Sequence, residues 1–193
     1  MLEDLDSEVG RLLAVLDKHK LTDNTLVIFV SDNGGFSGAA NMGPFSGAKS
    51  TTMEGGIRVP LIMSWPGQIR SGTVSDQVCM TFDLTCSIIN LAQSKAPAKR
   101  LDGFDLVDHI TKRKPDFART LFWRVKRGER IWSAVRDGDL KYVRKTEGQT
   151  QEWLFDLSKD LAEKNDLSSV QPKQTERLKK LLANWEKDVQ SVR

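Results

Sequence analysis

The residue types best suited to chemistry stand together in one short segment, Ser31-Asp32-Asn33-Gly34-Gly35, directly after an apolar run. Asp32 offers a carboxylate and Asn33 an amide oxygen, and these hard donors are the kind that Ca²⁺ and Mg²⁺ prefer. In open α/β sheets, ligands bind at the carboxyl ends of strands, where loops line a crevice. The same residues also form ordinary tight turns, so the segment alone indicates either a metal site or a turn.

A second candidate is Lys49, which lies in the small-residue loop Ser46-Gly47-Ala48-Lys49-Ser50-Thr51-Thr52. Its ammonium group can donate up to three hydrogen bonds to an oxyanion. The loop is not a phosphate-binding P-loop, because that motif requires glycine directly before the lysine and Ala48 stands there. A solvated surface lysine is the alternative interpretation.

The two histidines and two cysteines indicate no further chemistry. His19 and His109 lie apart from other metal-ligating residues and from any nucleophile, so a His-rich zinc site and a Ser-His-Asp triad lack support. His19 is expected to favour a helix end through its charge, and His109 to lie in a short exposed helix. Cys79 and Cys86 exclude a disulfide scaffold and are predicted to be two buried thiols on one helix face.

The elements that would position these residues alternate between helix and strand. Residues 2–18 predict an amphipathic helix that packs one apolar stripe. Residues 25–30 are almost continuously apolar, which is typical of a strand buried on both faces of a parallel sheet. A second strand is predicted at 59–65, and helices at 84–91, with Asp83 as cap, and at 105–110. This order indicates α/β architecture. The stripe of the first helix consists of Leu2, Leu5, Val9, Leu12 and Leu16.

Beyond Pro115 the apolar pattern changes to a period of two, which is typical of strands. Asp137-Gly138 stands between two β-rich runs and is a strong hairpin signal. Apolar residues from 172 to 189 then recur at helical spacing. We therefore expect a small antiparallel sheet covered by one amphipathic helix. The predicted strands are 121–123, 131–136, 139–144 and 153–157.

Composition and charge fit a globular chain of two parts. The 193 residues are 39% hydrophobic and 28% charged. Net charge is −4 over residues 1–110 and +7 over residues 111–193. No apolar run approaches the roughly 18 residues of a membrane span, and no dense Lys/Arg stripe indicates nucleic-acid binding. The acidic start does not resemble a signal peptide, so no compartment is assigned.

Five segments, in order along the chain, carry a resemblance to one family. They are residues 24–34 (NTLVIFVSDNG), 47–60 (GAKSTTMEGGIRVP), 65–67 (WPG), 134–142 (AVRDGDLKY) and 153–157 (WLFDL). Together they resemble the second half of the type I sulfatases (arylsulfatases), in the alkaline phosphatase-like superfamily. The resemblance implies an α/β fold: the carboxy-terminal part of the alkaline phosphatase-like three-layer domain over residues 1–111, followed by a small α+β subdomain, an antiparallel sheet plus one helix, over 112–193.

The resemblance also implies roles for the candidate residues. Asp32 and Asn33 would be two ligands of a divalent cation, most often Ca²⁺, which holds the substrate sulfate and a formylglycine nucleophile together. Lys49 would bind a sulfate oxygen, and Glu54 and Arg58 would brace the loop beyond it. The expected substrate is a sulfated small molecule or a sulfated glycan, and the expected reaction is hydrolysis of its sulfate ester.

The nucleophile is the main departure from the family pattern. No position fits the Cys/Ser-x-Pro/Ala-x-Arg motif from which formylglycine is made, and the amino-terminal aspartate pair of the metal site is also absent. We therefore expect a carboxy-terminal fragment that is inactive alone. A truncated sheet exposes edge backbone and apolar faces, so self-association or pairing with an amino-terminal sulfatase segment is expected.

Two other functions stay open at this point. One is a non-catalytic module that binds an anionic glycan or a partner chain, for which the basic carboxy-terminal part is suited. The other is a phosphatase or phosphodiesterase of the same superfamily, although such two-zinc sites usually have histidine where Asn33 stands.

Overall fold

The computed structural model describes residues 2–94 and 101–190, which form two compact units. The first unit combines the residues up to Val30 with Pro60–Phe117, and the second combines Ser31–Val59 with the residues from Ala118 onward. The helices are α1 (Leu2–Lys18), α2 (Glu54–Ile57), α3 (Thr81–Leu91), α4 (Leu106–Thr111) and α5 (Pro172–Gln190). The strands are β1 (Val27–Val30), β2 (Leu61–Ser64), β3 (Thr120–Arg127), β4 (Arg130–Asp137), β5 (Leu140–Glu147) and β6 (Gln149–Asp156).

The sheet of the first unit pairs β1 with β2, and the pairing is antiparallel. The prediction of a strand in this place is confirmed, but the parallel pairing and two-sided burial expected for residues 25–30 are wrong within the described chain. Phe29 faces Ile62 across the ladder, and these side chains are 48% and 61% exposed. An apolar run indicates a strand that is suited to burial, but the strand is buried only where another element packs against it.

Helix α1 confirms the predicted helix at residues 2–18, with Glu3 and Asp4 in its first turn and Lys18 in its last. These charges match the partial charges of the two helix ends. Its apolar stripe is not packed: no residue of α1 is buried, and Leu2 is 80% exposed. The expected packing is therefore wrong for the residues described, because nothing among them covers this stripe.

Asp83 organises the packing of α3 in the first unit. Its Oδ2 accepts a hydrogen bond from the Met80 N–H at 2.7 Å and its Oδ1 accepts one from the Phe104 N–H at 3.0 Å. Asp83 is thus the third residue of α3 rather than its cap. Cys86 is buried within α3, whereas Cys79 precedes the helix. The prediction of two thiols on one helix face is wrong, because the helix starts two residues after Cys79.

His109 is buried in α4, so the prediction of an exposed histidine is wrong. Its ring packs edge-to-face on Phe104 and Phe117, and its Nε2 lies 3.2 Å from Asp116 Oδ1. The helix itself is confirmed at residues 106–111, where the Asp105 side chain accepts from the Asp108 N–H at 2.9 Å and caps it. His109 therefore has a structural environment.

The second unit contains the antiparallel sheet β3-β4-β5-β6, as predicted. The predicted hairpin joins β4 to β5, and Gly138 takes the positive φ of 61° that its turn requires. Helix α5 covers one face of the sheet and buries Leu178 and Leu182 completely. Phe122 stacks on Trp185 with ring centroids 5.2 Å apart. The predicted sheet-plus-helix arrangement is therefore confirmed.

The other face of this sheet packs against the segment Ser31–Val59. Met53 packs on a second apolar cluster of the sheet, and Glu54 pairs with Lys141 of β5. That cluster consists of Ala134, Val143, Phe155 and Leu157, with Trp123, Trp132 and Trp153 at its margin. The segment that holds the candidate site thus belongs to the same unit as the carboxy-terminal sheet. The domain boundary after residue 111 stays a prediction.

Among the helices of residues 2–94 and 101–190, none combines the length and apolar character that crossing a membrane requires.

Candidate functional site

The structure places all three residues predicted for the site, Asp32, Asn33 and Lys49, in loops of the second unit. Asp32 and Lys49 are exposed, and Asn33 is half-buried. Neither the Asp32 carboxylate nor the Lys49 ammonium has a hydrogen bond or ion pair to another described residue. Both charged groups are therefore accessible to a ligand.

Two backbone hydrogen bonds join the loop of Asp32 to the loop of Lys49. The Lys49 N–H donates to the Gly35 carbonyl at 2.9 Å, and the Gly34 N–H donates to the Gly56 carbonyl at 2.9 Å. The two motifs are 17 residues apart between Asp32 and Lys49 in the chain, and these bonds bring them into one neighbourhood. The structure thus brings together the residues that sequence reasoning proposed as one site.

Glycine is required where the two loops approach each other. A Cβ built on Gly34 would lie 1.8 Å from the Gly55 carbonyl oxygen, and one on Gly55 would lie 2.5 Å from the Gly47 oxygen. Contacts this short do not occur, so a larger residue would push the loops apart. The glycines of the two motifs are therefore explained by close backbone packing.

A tight turn presents Lys49. Gly47 and Ser50 on either side have positive φ angles of 76° and 74°, and the Thr51 hydroxyl donates to the Ala48 carbonyl at 2.8 Å. The backbone of Lys49 is thus fixed while its side chain stays in solvent. An ammonium held in this way can meet an oxyanion with little further ordering of the backbone.

The donor set of Asp32 and Asn33 fits Ca²⁺ in type, because both offer hard oxygen atoms. Calcium takes about six to eight oxygen ligands, and two side chains supply only part of that number. Within the described ranges, no cluster of three or more His, Cys, Asp or Glu residues could hold a metal ion. Asp32 and Asn33 are thus suited to calcium by donor type, and these two side chains alone do not complete its coordination.

Sequence reasoning assigned Glu54 a bracing role but missed its two buried partners, Lys141 and Glu163. Glu54, Lys141 and Glu163, here named the buried ion triad, have side chains that are 4%, 0% and 0% exposed. Lys141 Nζ donates to Glu54 Oε1 at 2.7 Å and lies 2.8 Å from Glu163 Oε1. The second contact is a close ion pair, because Glu163 Oε1 accepts no hydrogen bond of good geometry. The sequence signal that could have found the triad is Lys141 itself, which stands two residues before the apolar Val143 in β5 and so lies on the same face of the sheet.

The charges around the triad are nearly balanced. Arg58 lies 3.4 Å from Glu54 Oε2, and burial lowers the pKa of the nearby Arg136 guanidinium while Glu54 opposes this effect. Burial likewise raises the pKa of Glu163, although the Lys141 ammonium and the Glu54 N–H act to lower it. Burial is thus the larger influence on the pKa of Glu163, and the neighbouring ammonium and N–H oppose it.

Two profiles of known families match the chain. The profile described as Sulfatase matches residues 1–94. The profile described as N-sulphoglucosamine sulphohydrolase, C-terminal, matches residues 48–191 and spans most of the chain. The chain belongs to the sulfatase family. The resemblance seen in the motifs is therefore confirmed.

Curated relatives of this sulfatase chain are considerably longer than it is. N-acetylgalactosamine-6-sulfatase of Mus musculus is 40% identical over 118 residues, which are 58% of this chain and 22% of the relative. Arylsulfatase A of Homo sapiens is 31% identical over 192 residues, which are 86% of this chain and 38% of the relative. The chain thus spans less than half the length of each.

A solved structure confirms the fold class. The crystal structure of Ps i-CgsB in complex with k-i-k-neocarrahexaose matches with a TM-score of 0.85 at 29% identity, covering 96% of this chain and 41% of that chain. The sulfatase chain therefore has the carboxy-terminal part of the alkaline phosphatase-like α/β fold.

Proposed function

We propose that this chain is the carboxy-terminal portion of a hydrolase of sulfate esters. In this proposal, Asp32 and Asn33 are ligands of a divalent cation, Ca²⁺ by donor type, and Lys49 binds a sulfate oxygen. The observation that carries the proposal is the hydrogen-bonded junction of the two motif loops. It joins the backbones of the two loops that carry Asp32 and Lys49, and neither charged group is neutralised by an ion pair with another residue in the described part of the chain.

The chemistry of sulfate transfer explains why these residue types would meet. Negative charge is spread over the sulfuryl oxygens as the ester bond breaks, and fixed positive charge nearby stabilises it. Bound Ca²⁺ would act as a Lewis acid on those oxygens. Lys49 would donate hydrogen bonds to a second position on the same group, orient the ester for in-line attack and hold it after the bond breaks.

The substrate class that we propose is a sulfated glycan. One relative is named as an N-acetylgalactosamine-6-sulfatase, and the matching crystal structure contains an oligosaccharide, k-i-k-neocarrahexaose. The exposed position of Lys49 fits an ester on a large substrate. A sulfated small molecule would bind the same divalent cation and the same Lys49 ammonium, and would differ only in its organic part.

The chain alone is expected to bind sulfate without hydrolysing sulfate esters, because no residue in it fits the nucleophile motif. Its turnover of an aryl sulfate should not exceed that of Lys49→Ala. Its affinity for inorganic sulfate with Ca²⁺ present, measured by calorimetric titration, should fall about tenfold or more in Lys49→Ala. A hydrogen bond to a charged group contributes about 1.5–3 kcal/mol.

The matched control is Lys173→Ala, because Lys173 is another exposed lysine of the same unit and lies in α5. Helix α5 covers the sheet face opposite the two motif loops, so this loss of one positive charge should leave sulfate affinity unchanged. Turnover that depends on Lys49 would contradict the inactivity of the chain. Equal sulfate affinity in both variants would contradict the role of Lys49.

We also propose that the first unit associates through its exposed apolar surface. Monomeric proteins rarely leave large apolar patches uncovered. Here the uncovered side chains lie on α1, on the two-stranded sheet and on α3. They include Leu2, Leu5, Leu12, Leu13, Val15, Phe29, Ile62, Ile88 and Leu91. The occupant that we propose is an amino-terminal sulfatase segment, with a second copy of the chain taking its place when that segment is missing.

The chain alone should therefore self-associate, and a Leu5→Glu/Leu12→Glu variant should shift it toward monomer. A charge on each of these positions makes burial of the α1 stripe unfavourable. Light scattering across a concentration series measures the effect. Val170→Glu is the control, since Val170 is an exposed apolar residue of the second unit. A compact monomer at every concentration would rule out this proposal.

The second candidate function is a non-catalytic module that binds an anionic glycan. It is favoured by the net charge of +7 on residues 111–193. Binding through dispersed charge is screened by salt, so the chain would be retained on a sulfated-glycan column and released by salt. Under this function, retention would be unchanged in Lys49→Ala, whereas the hydrolase proposal requires it to fall.

A further inference from the structure

The buried ion triad holds Glu54, which stands two residues after the loop that carries Lys49. We infer that Lys141 is a positioning residue, which fixes the Lys49 loop on the carboxy-terminal sheet and thereby sets the affinity of the site for sulfate. The inference rests on the proposed role of Lys49 and adds to it a residue 92 positions further along the chain. Lys141 itself is fully buried and cannot touch a ligand.

Contacts on both sides of Lys49 hold its loop to the rest of the unit. Before it, the Ser46 hydroxyl donates to the Ala162 carbonyl at 2.6 Å. After it, the Glu54 N–H donates to Glu163 Oε2 at 2.6 Å, and Lys141 pairs with the Glu54 side chain at 2.7 Å. The loop is thus anchored at both ends to elements that follow it by about a hundred residues.

The triad also reaches the segment that holds Asp32 and Asn33. Glu54 begins α2, and Gly56 in the same short helix accepts the hydrogen bond of the Gly34 N–H. A shift of Glu54 is therefore expected to move the Gly56 carbonyl, to which the Asp32 segment is hydrogen-bonded through the Gly34 N–H. Lys141 thereby acts on both candidate motifs through one carboxylate.

The energetics of burial support positioning rather than simple stabilisation. Well-packed apolar side chains commonly stabilise a core as well as a buried ion pair does, because each charge must first be removed from water. A charged group adds directionality, because the ammonium lies between two carboxylates and this arrangement favours one placement of the loop. Arg136, which stands opposite Lys141 on β4, is also attracted to Glu54, whereas Lys141 contacts both carboxylates directly.

The test compares Lys141→Met with Arg144→Met in the 193-residue chain. Arg144 lies on the same strand, and its NH2 pairs with Glu186 of α5 at 2.7 Å, on the face opposite the loop. Amide hydrogen exchange is followed at Gly34, Lys49 and Gly55, whose N–H groups hold the loops together, and in β4 and β5 as a reference. Affinity for inorganic sulfate with Ca²⁺ is measured on the same samples.

Lys141→Met is expected to speed exchange at the three loop amides at least about tenfold more than in the sheet, and to weaken sulfate binding about tenfold. Arg144→Met should leave the exchange of the loop amides relative to the sheet, and the affinity for sulfate, as in the parent chain. If Lys141→Met unfolds the unit, Glu54→Gln decides, because it weakens the Lys141 contact to the loop. It keeps the Lys141–Glu163 pair and the acceptor of the N–H of residue 54, and should loosen the loop amides selectively.

Uniform acceleration of exchange in loop and sheet by Glu54→Gln and Lys141→Met would overturn the inference, since Lys141 would then be a general stabiliser. Unchanged loop exchange would overturn it as well. Failure of the proposed function is a separate result: Lys49→Ala would leave sulfate affinity unchanged, while Lys141→Met still loosened the loop. Loss of affinity in Lys49→Ala with none in Lys141→Met would refute the positioning role alone.

Discussion

Lys49→Ala is expected to lower kcat/KM for an aryl sulfate about 10²- to 10³-fold when the chain is combined with an amino-terminal sulfatase segment that carries the nucleophile motif. This is the usual loss when one fixed donor to a developing oxyanion is removed. Under the proposed function, the exposed ammonium on the turn between Gly47 and Ser50 would be such a donor. Initial rates at low substrate concentration give the ratio directly.

The division of this loss between kcat and KM tests the proposed role further. A lysine that contacts the sulfate in both the ground state and the transition state should change KM as well as kcat, since it binds the oxyanion throughout. Lys173→Ala should leave both constants unchanged. A loss of less than about threefold in Lys49→Ala would mean that the sulfate lies elsewhere.

Local patterns predicted most of the secondary structure because each element carries its own signal. The spacing of apolar residues identified α1 and α5, and Asp137-Gly138 identified the β4–β5 turn. The errors concern which residues are buried by neighbouring elements, not which residues form helices and strands. An exposed Phe29 and a buried His109 both depend on what packs against them, and this is a long-range property that a single segment does not contain.

The candidate site was predictable in part for a similar reason. Asp32 and Lys49 stand in motifs, and their glycines are required by the close approach of the two loops. The triad was not predictable, because Lys141 and Glu163 contact Glu54 across 87 and 109 positions of sequence. Charged residues are almost never fully buried unless they are paired. A lysine at a core-facing position of a strand therefore indicates that an acidic partner exists, but it does not identify that partner.

Lys141→Met is also expected to destabilise the chain by about 3–5 kcal/mol, which is the usual cost of removing one partner from a buried ion pair. The loss leaves Glu54 and Glu163 facing each other in a space that excludes water, and two buried carboxylates repel. Urea unfolding followed by fluorescence measures the free energy of unfolding. Arg144→Met should cost less, because its ion pair with Glu186 is partly exposed.

Removing all three charges distinguishes stability from positioning. A triple variant, Lys141→Met with Glu54→Met and Glu163→Gln, keeps an acceptor for the N–H of residue 54 and should recover most of the lost stability, because apolar replacements of buried ions are often neutral. It should not recover the affinity for sulfate, since methionine is flexible and fixes no single geometry. Recovery of both would show that the triad acts only through stability. A cost below about 1 kcal/mol for Lys141→Met would show that water reaches these charges.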